Sequence, residues 1–399
     1  MKTEERLRIL AQAFYFTDYE SCGEGLITYN LCNALAKLGC EIHVISPSYR
    51  LRQMPHPNVK MHQVPCSFQP YTSPKLSLRS FLYSIPIIKK NKIQLVHLMS
   101  QIALTPFSRF KLLPLVVSAD IKWELAKDLD LNPNEVFELY SYRIPPKLFR
   151  KIDAFENLMT RDFLTKILKI KVYDRNIDLV ICREKQLLAD LSNVWPKNKL
   201  THIPNGVDIY KFNPKVKPKF RRKDTVLFVG NLIMRKGVHY LLEAFRKVVR
   251  EIPTARLMII GKGPERDVRF FKELSKGIES NVKFLGFVSQ LPPYYNSAEV
   301  FCSPSLGEPF GLVNLEAMAC GLPVISTKAG GVPEIVINDY NGLLVPPADV
   351  DALAQAIIEL LENKKKAKEM GENARKFVVN NFSWDVIAKS HASAYRTLI

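Results

Sequence analysis

RILAQAFYFTDYESCGEGLITYNLCNALAKLGCEIHVISP, residues 8–47, decides the fold class. RILAQAFYF (8–16) is an apolar run short enough for a buried strand. GLITYNLCNALAKLG (25–39) carries a helical period that stops at Gly39, and EIHVISP (41–47) is a second apolar run. A strand, a helix and a strand in this order form a β-α-β unit, which builds a parallel sheet covered on both faces. IQLVHLM (93–99), LPLVVSA (113–119) and IDLVICR (177–183) read as further strands of that sheet.

The pattern then restarts. TVLFVGN (225–231), a helix near VHYLLEAFRKVVREI (238–252), RLMIIGKG (256–263), VKFLGFV (282–288), AEVFCSPS (298–305) and LPVISTK (322–328) again alternate strand and helix. Two successive units of near-equal length predict an α/β protein of two doubly wound, Rossmann-like domains. At 399 residues the chain exceeds what one core usually serves, in agreement with two. IPNGVDIYKFNP (203–214), broken by Pro204, Asn205, Gly206 and Pro214, reads as the connector.

Hydrophobic residues make up 47% and charged residues 24%, an ordinary composition for a folded soluble protein. The formal net charge of +18 favours anionic partners without choosing among them. It does not point to nucleic acid, because no helix-turn-helix, RNA-binding aromatic pair or zinc pattern accompanies it. Seven dispersed cysteines without a CxxC pair read as thiols in a reducing compartment. Neither a secretory signal nor an uncharged apolar run of about 18 residues is found, so a cytoplasmic protein is expected.

Ligands of open parallel sheets bind beyond the carboxyl ends of the strands, where helix starts offer unpaired N–H groups. Three glycine turns fit: CGEG (22–25), GNLIMRKG (230–237) and GEPFG (307–311). None matches GxGxxG or the phosphate loop, whose lysine position after the last glycine holds Val238 here. In GEPFGLVNLEAMACGLPVIS (307–326), Glu308 precedes a helix expected from Gly311, and Glu316 falls in its second turn. The two carboxylates either face one hydroxyl-rich ligand at the helix start, or are a loop carboxylate favoured by the helix dipole and a solvated helix residue. Spacing alone does not separate these readings.

The same segment resembles the paired-glutamate signature of retaining glycosyltransferases of family four, which have the two-Rossmann GT-B architecture and include lipid-directed mannosyl, glucosyl and N-acetylglucosaminyl transferases. IPNGVD, VGNLIMRKGVHYLLEAF, IIGKGPE, FLGFV, GGVPEIV, NGLLVPPADVDALAQAI and FSWDVIAKSHASAYRTL support it in order, closely over residues 200–396 and loosely before them. The resemblance implies that the last helix crosses back, giving an acceptor-binding domain of 1–204 joined by 384–399 and a nucleotide-sugar-binding domain of 205–383. It also implies a hexosyltransferase that works with retention, with no cofactor and no metal ion. The run DLD (128–130), which resembles a metal-binding DxD, reads as a surface coincidence.

Carried across by position, the resemblance puts Glu308 on hydroxyls of the transferred sugar and Glu316 on the nucleotide ribose. Phe310, Gly311 and Leu312 supply backbone near the sugar and phosphates. Gly23 or Gly25 approaches the diphosphate from the other side, Phe287 and Val288 lie beside the base, and Lys236 holds the diphosphate. A fixed cation there stabilises the charge left on the departing group. The family's arginine five residues before this lysine is Asn231 here, so either Arg235 reaches in or the site has one cation fewer. Where the family carries a histidine in the first domain, VVSADIK offers Asp120 as an acceptor base or as a loop cap. His97 in LVHLMS is expected at a strand end facing the cleft, where a lone histidine reads as structural before it reads as functional.

The donor is expected to be a nucleotide diphosphate sugar, UDP-sugar before GDP-sugar. The acceptor is lipid-linked or small and polar. Basic amphipathic segments at 75–92 and 143–171 suit either an anionic membrane face or a helix packed on the sheet. The alternatives within this fold are an idle sugar-nucleotide binder and a sugar-nucleotide epimerase.

Overall fold

The computed structural model describes residues 6–13, 15–18, 23–64, 74–99, 112–119, 177–193, 195–220 and 223–399. Asp120, Asp128, Asp130 and the 143–171 segment lie outside the described residues.

In the first half, strands β1 Arg8–Gln12, β2 Tyr15–Thr17, β3 Glu41–Ser46, β4 Ser48–Arg50, β5 Val59–Gln63, β6 Leu95–Leu98, β7 Leu115–Ala119, β8 Leu179–Cys182 and β9 Leu200–His202 accompany helices α1 Gly23–Lys37, α2 Pro74–Asn91 and α3 Lys185–Leu191. Seven of these strands form one sheet in the order β5-β3-β1-β6-β7-β8-β9. Its pairings are parallel throughout. β6 and β8 are buried at every position, as a sheet covered on both faces requires.

The 8–16 run divides instead of forming one strand. β1 ends at Gln12, and β2 leaves to pair with β4 in a separate two-stranded ribbon. Pro47, which has no N–H, stands between β3 and β4 and cannot continue the ladder, so the two chains leave the sheet together.

The second half holds β10 Thr225–Val229, β11 Arg256–Ile260, β12 Val282–Gly286, β13 Val300–Ser303, β14 Val324–Thr327 and β15 Gly342–Val345. Its helices are α4 Val238–Glu251, α5 Glu265–Leu274, α6 Pro292–Tyr295, α7 Leu312–Ala319, α8 Val350–Glu362, α9 Lys364–Phe382 and α10 Trp384–Arg396. The six strands run β12-β11-β10-β13-β14-β15, again parallel. α4 places Leu241, Leu242, Phe245 and Val248 on one buried face, at the three-and-four spacing of an amphipathic helix.

The order reverses at β1/β6 in one sheet and at β10/β13 in the other. At such a switch point neighbouring loops part and leave a crevice beyond the carboxyl ends. The two crevices face each other.

α10 returns to the first sheet. Trp384, Ile387 and Tyr395 share a buried cluster with Ile9, Leu31 and Leu35. His97 does not face the cleft: it is fully buried, with Nδ1 2.7 Å from the Tyr395 hydroxyl and Nε2 2.8 Å from Ser118 Oγ. Beside it, His391 Nδ1 donates to the Ile387 carbonyl at 2.9 Å. Burial pushes His97 well below its ordinary value and His391 down to about 4.

Both rings are therefore neutral when folded, while the unfolded chain takes up protons below about pH 6.5. Stability carried by this junction is full above pH 6.5 and falls as pH drops toward 4. Urea unfolding midpoints at pH 7.5 and 5.0 should show the loss, and His391→Gln, which cannot take the proton, should reduce it.

Candidate functional site

Between the facing carboxyl ends lies a cavity of about 510 Å³. From the second sheet, the loop after β10 brings Gly230 and Asn231 to it and ends in a tight turn, Met234–Lys236, that presents Lys236. Gly237 follows with φ of 69°, and a Cβ there would stand 1.9 Å from the Pro304 carbonyl. Only glycine allows this approach, which seats the Lys236 turn against the loop after β13.

That second loop carries Glu308. Lys236 Nζ donates to Glu308 Oε2, and Ser305 Oγ donates to the same oxygen at 3.2 Å. Arg235 donates from Nη1 to the Gly307 carbonyl, while Leu306 N–H returns a bond to the Arg235 carbonyl at 2.9 Å. Burial alone would raise the Glu308 pKa, but the Lys236 and Arg235 charges outweigh it and hold the carboxyl below its ordinary value. Burial lowers the Lys236 pKa against the opposing pull of Glu308, and Arg235 lowers it further. Both side chains of the pair are largely withdrawn from water.

Helix α7 starts at the same place. Its cap, Gly311, has φ of 87°, and the Asn314 amide fills the space a side chain would need. Phe310, Gly311 and Leu312 line the cavity at this helix start. One turn on, Glu316 is 9% exposed and accepts a hydrogen bond from Tyr295 Oη at 2.8 Å. Neither glutamate is a solvated surface carboxylate. Glu308, Glu316, Lys236, Asn231, Phe287 and Val288 all line one cavity.

Phe287 is 48% exposed at the rim, with Lys262 Nζ 5.4 Å from its ring centre. Arg235 is turned onto Gly307. Gly25 is buried in the first turn of α1, and that turn reaches the cavity through Glu24, Leu26 and Ile27; Gly23 begins the helix. Across from Lys236, Arg183 and Glu184 leave the end of β8 and line the cavity, with Arg183 Nη2 donating to the Met99 carbonyl at 3.3 Å. The sequence reading passed over this pair, although two charges directly after LVIC were a visible signal at a strand's carboxyl end. Tyr295 had no such signal, because its partner is 21 residues away. Among the described residues no group of His, Cys, Asp and Glu is arranged to hold a metal ion.

Residues 23–211 match the family profile described as Glycosyltransferase Family 4, and residues 210–377 match the one described as Glycosyl transferases group 1. The chain is built from these two glycosyltransferase domains. An uncharacterized glycosyltransferase of Methanocaldococcus jannaschii is 36% identical over 234 residues, which cover 54% of this chain and 59% of that protein. A GDP-mannose-dependent alpha-(1-6)-phosphatidylinositol monomannoside mannosyltransferase of Mycolicibacterium smegmatis is 31% identical over 206 residues, 47% of this chain and 54% of that one. The chain thus spans little more than half the length of the curated relatives it matches.

Over whole chains the glycosyltransferase resembles solved GT-B structures. A glycosyltransferase from Rickettsia africae aligns with a TM-score of 0.72 at 19% identity, covering 99% of both chains. Anabaena HepE, solved with UDP and glucose, aligns with a TM-score of 0.70 at 21% identity, covering 98% of this chain and 100% of that one. These likenesses establish the architecture.

Removing Lys236 strands the Glu308 carboxylate in a dry cleft. Lys236→Ala should cost about 3 kcal/mol or more of stability in urea unfolding, as broken buried ion pairs do. Adding Glu308→Gln to Lys236→Ala should restore most of that loss, because no unpaired charge is then buried.

Proposed function

We propose that this glycosyltransferase moves a hexosyl group from a nucleoside diphosphate sugar to an acceptor hydroxyl with retention at the anomeric carbon. The observation that carries the reading is the Lys236–Glu308 ion pair at the start of α7, one turn from Glu316 and inside one cavity. On this reading the donor diphosphate draws Lys236 away from Glu308. The freed carboxylate then accepts hydrogen bonds from the sugar, while Glu316, steadied by Tyr295, accepts from the ribose hydroxyls.

The bond from the anomeric carbon to the phosphate oxygen breaks with its electron pair left on the diphosphate, and the acceptor oxygen forms the new bond from the same face. Lys236 stabilises the leaving charge. Arg235, engaged with the Gly307 carbonyl, acts by its field and by fixing the Glu308 loop, not by touching phosphate. Asp120 takes the acceptor proton, a role assigned from its place directly after β7. The two glutamates do not form a glycosidase pair, since no covalent glycosyl intermediate is invoked.

We assign the acceptor to the lipid-linked class, at an anionic membrane face. Helix α2 supports this: Leu82 and Tyr83 are exposed on the helix whose last turn carries Lys89 and Lys90. No helix among the described residues is long and apolar enough to cross a membrane. The Mycolicibacterium smegmatis relative is itself described by a phosphatidylinositol-based acceptor and GDP-mannose, whereas HepE was solved with UDP. Of the two bases, UDP remains our first choice and GDP the second.

A thermal-shift screen against UDP-, GDP- and ADP-sugars reads the donor directly, because a ligand bound only by the folded state raises Tm. With that donor, Glu308→Gln should lower turnover about 100-fold or more while leaving nucleotide affinity within a few fold. Glu316→Gln should instead weaken nucleotide binding. Normal turnover in Glu308→Gln removes the sugar contact from the scheme. Binding without turnover in the wild type favours the idle binder, and a changed donor without acceptor favours an epimerase.

A further inference from the structure

The two halves of the cleft meet at one carboxylate that neither the ion pair nor the nucleotide scheme uses. Glu334 lies in GGVPEIV (330–336), in the tight turn Val332–Glu334 that follows β14. Its Oε1 accepts the backbone N–H of Lys185 at 2.6 Å, and its Oε2 lies 3.2 Å from His202 Nε2. Lys185 opens α3 and His202 ends β9, so both contacts belong to the first half of the molecule. The Glu334 side chain is 12% exposed.

The same turn backs the Glu308 loop. Gly331 N–H is shared between the carbonyls of Glu308 and Pro309, each at 3.1 Å, and Glu334 N–H bonds to the Gly331 carbonyl at 3.0 Å. A Cβ on Gly330 would stand 2.1 Å from the Glu308 carbonyl, and one on Gly331 would meet Glu184 Cγ at 3.3 Å. From Lys185 to the Glu308 backbone the path is therefore a continuous chain of hydrogen bonds and close backbone contacts.

We propose that Glu334 is a positioning residue that latches the two domains together and, through the Gly330–Gly331 turn, sets the Glu308 backbone when the cleft is closed. The inference rests on the glycosyltransfer reading for its effect on rate, but the latch itself is a property of the protein without donor. Opening the cleft would release Glu334 from Lys185 and loosen the hold on Glu308. A Glu308 carboxylate displaced by an ångström is enough to cost a large factor in rate without much change in donor affinity.

The backbone donor can be deleted without disturbing the helix. Lys185 is the first residue of α3, where proline is tolerated because no helical bond is lost, and Glu184 before it is extended, at φ −124° and ψ 144°. Lys185→Pro therefore removes only the N–H, and Lys185→Ala is the control that keeps it. In the full chain without ligand, Glu334→Ala and Lys185→Pro should both speed amide exchange in peptides covering 305–311 and 330–334, while Lys185→Ala and Glu334→Gln, which keeps an accepting oxygen, should match wild type.

With the donor found above, each of the first two variants should lower kcat about tenfold with nucleotide Kd within twofold. Because they break the same bond, the double variant should be no slower than either single. Unchanged exchange over 305–311 in Glu334→Ala, or losses that multiply to about a hundredfold in the double variant, overturns the latch. If no donor is turned over by the wild type, the transfer reading fails, yet the exchange data still decide the latch.

Discussion

The cleft depends on backbone approaches that only glycine permits. The Lys236 turn sits on the Pro304 carbonyl through Gly237, and the Glu308 carbonyl is backed by Gly330. These two contacts fix the loops after β10 and β13 at a separation where an ammonium and a carboxylate must meet. An ion pair out of water is held only when its surroundings complete the hydrogen bonding. Ser305 supplies such a bond to Glu308 Oε2 here, and the Arg235–Gly307 bond holds the loop that carries it. The pair is assembled by the protein's own groups, and the two loops set its geometry.

Much of the architecture was legible in the sequence because fully buried parallel strands leave unbroken apolar runs. LVHL, LVIC and TVLFV are buried at every position and were read as strands. β5, with Lys60, His62 and Gln63 in five residues, and β9, Leu200–His202, are edge strands with half-exposed positions, and they leave no such run. The division of 8–16 into two strands was hidden for another reason. The break belongs to the pairing partner, where Pro47 ends the ladder, and a partner's proline is invisible along β1 itself.

For the site, the glutamate pair and Lys236 were legible as motifs, and their burial settles that neither glutamate is a solvated surface group. What the sequence withheld were the contacts between segments far apart in the chain. Tyr295 reaches Glu316 across 21 residues, His97 reaches Tyr395 across 298, and Lys185 reaches Glu334 across 149. A lone histidine at a strand end looks the same whether it faces a ligand or a tyrosine hydroxyl. Desolvation, which only the packed structure reveals, distinguishes the two for His97.

The return of α10 to the first sheet has a consequence for biosynthesis. As the polypeptide emerges from the ribosome, β1, β3 and α1 precede β10 to β15, but their shared core lacks Trp384, Ile387 and Tyr395 until those later strands have been translated. The sheet that contains β10 to β15 has its strands in hand by residue 345. The order in which the two domains are made is thus the reverse of the order in which their cores can be sealed. Until α10 is made, the first-made domain exposes the apolar face that this helix covers, which is the kind of surface chaperones bind.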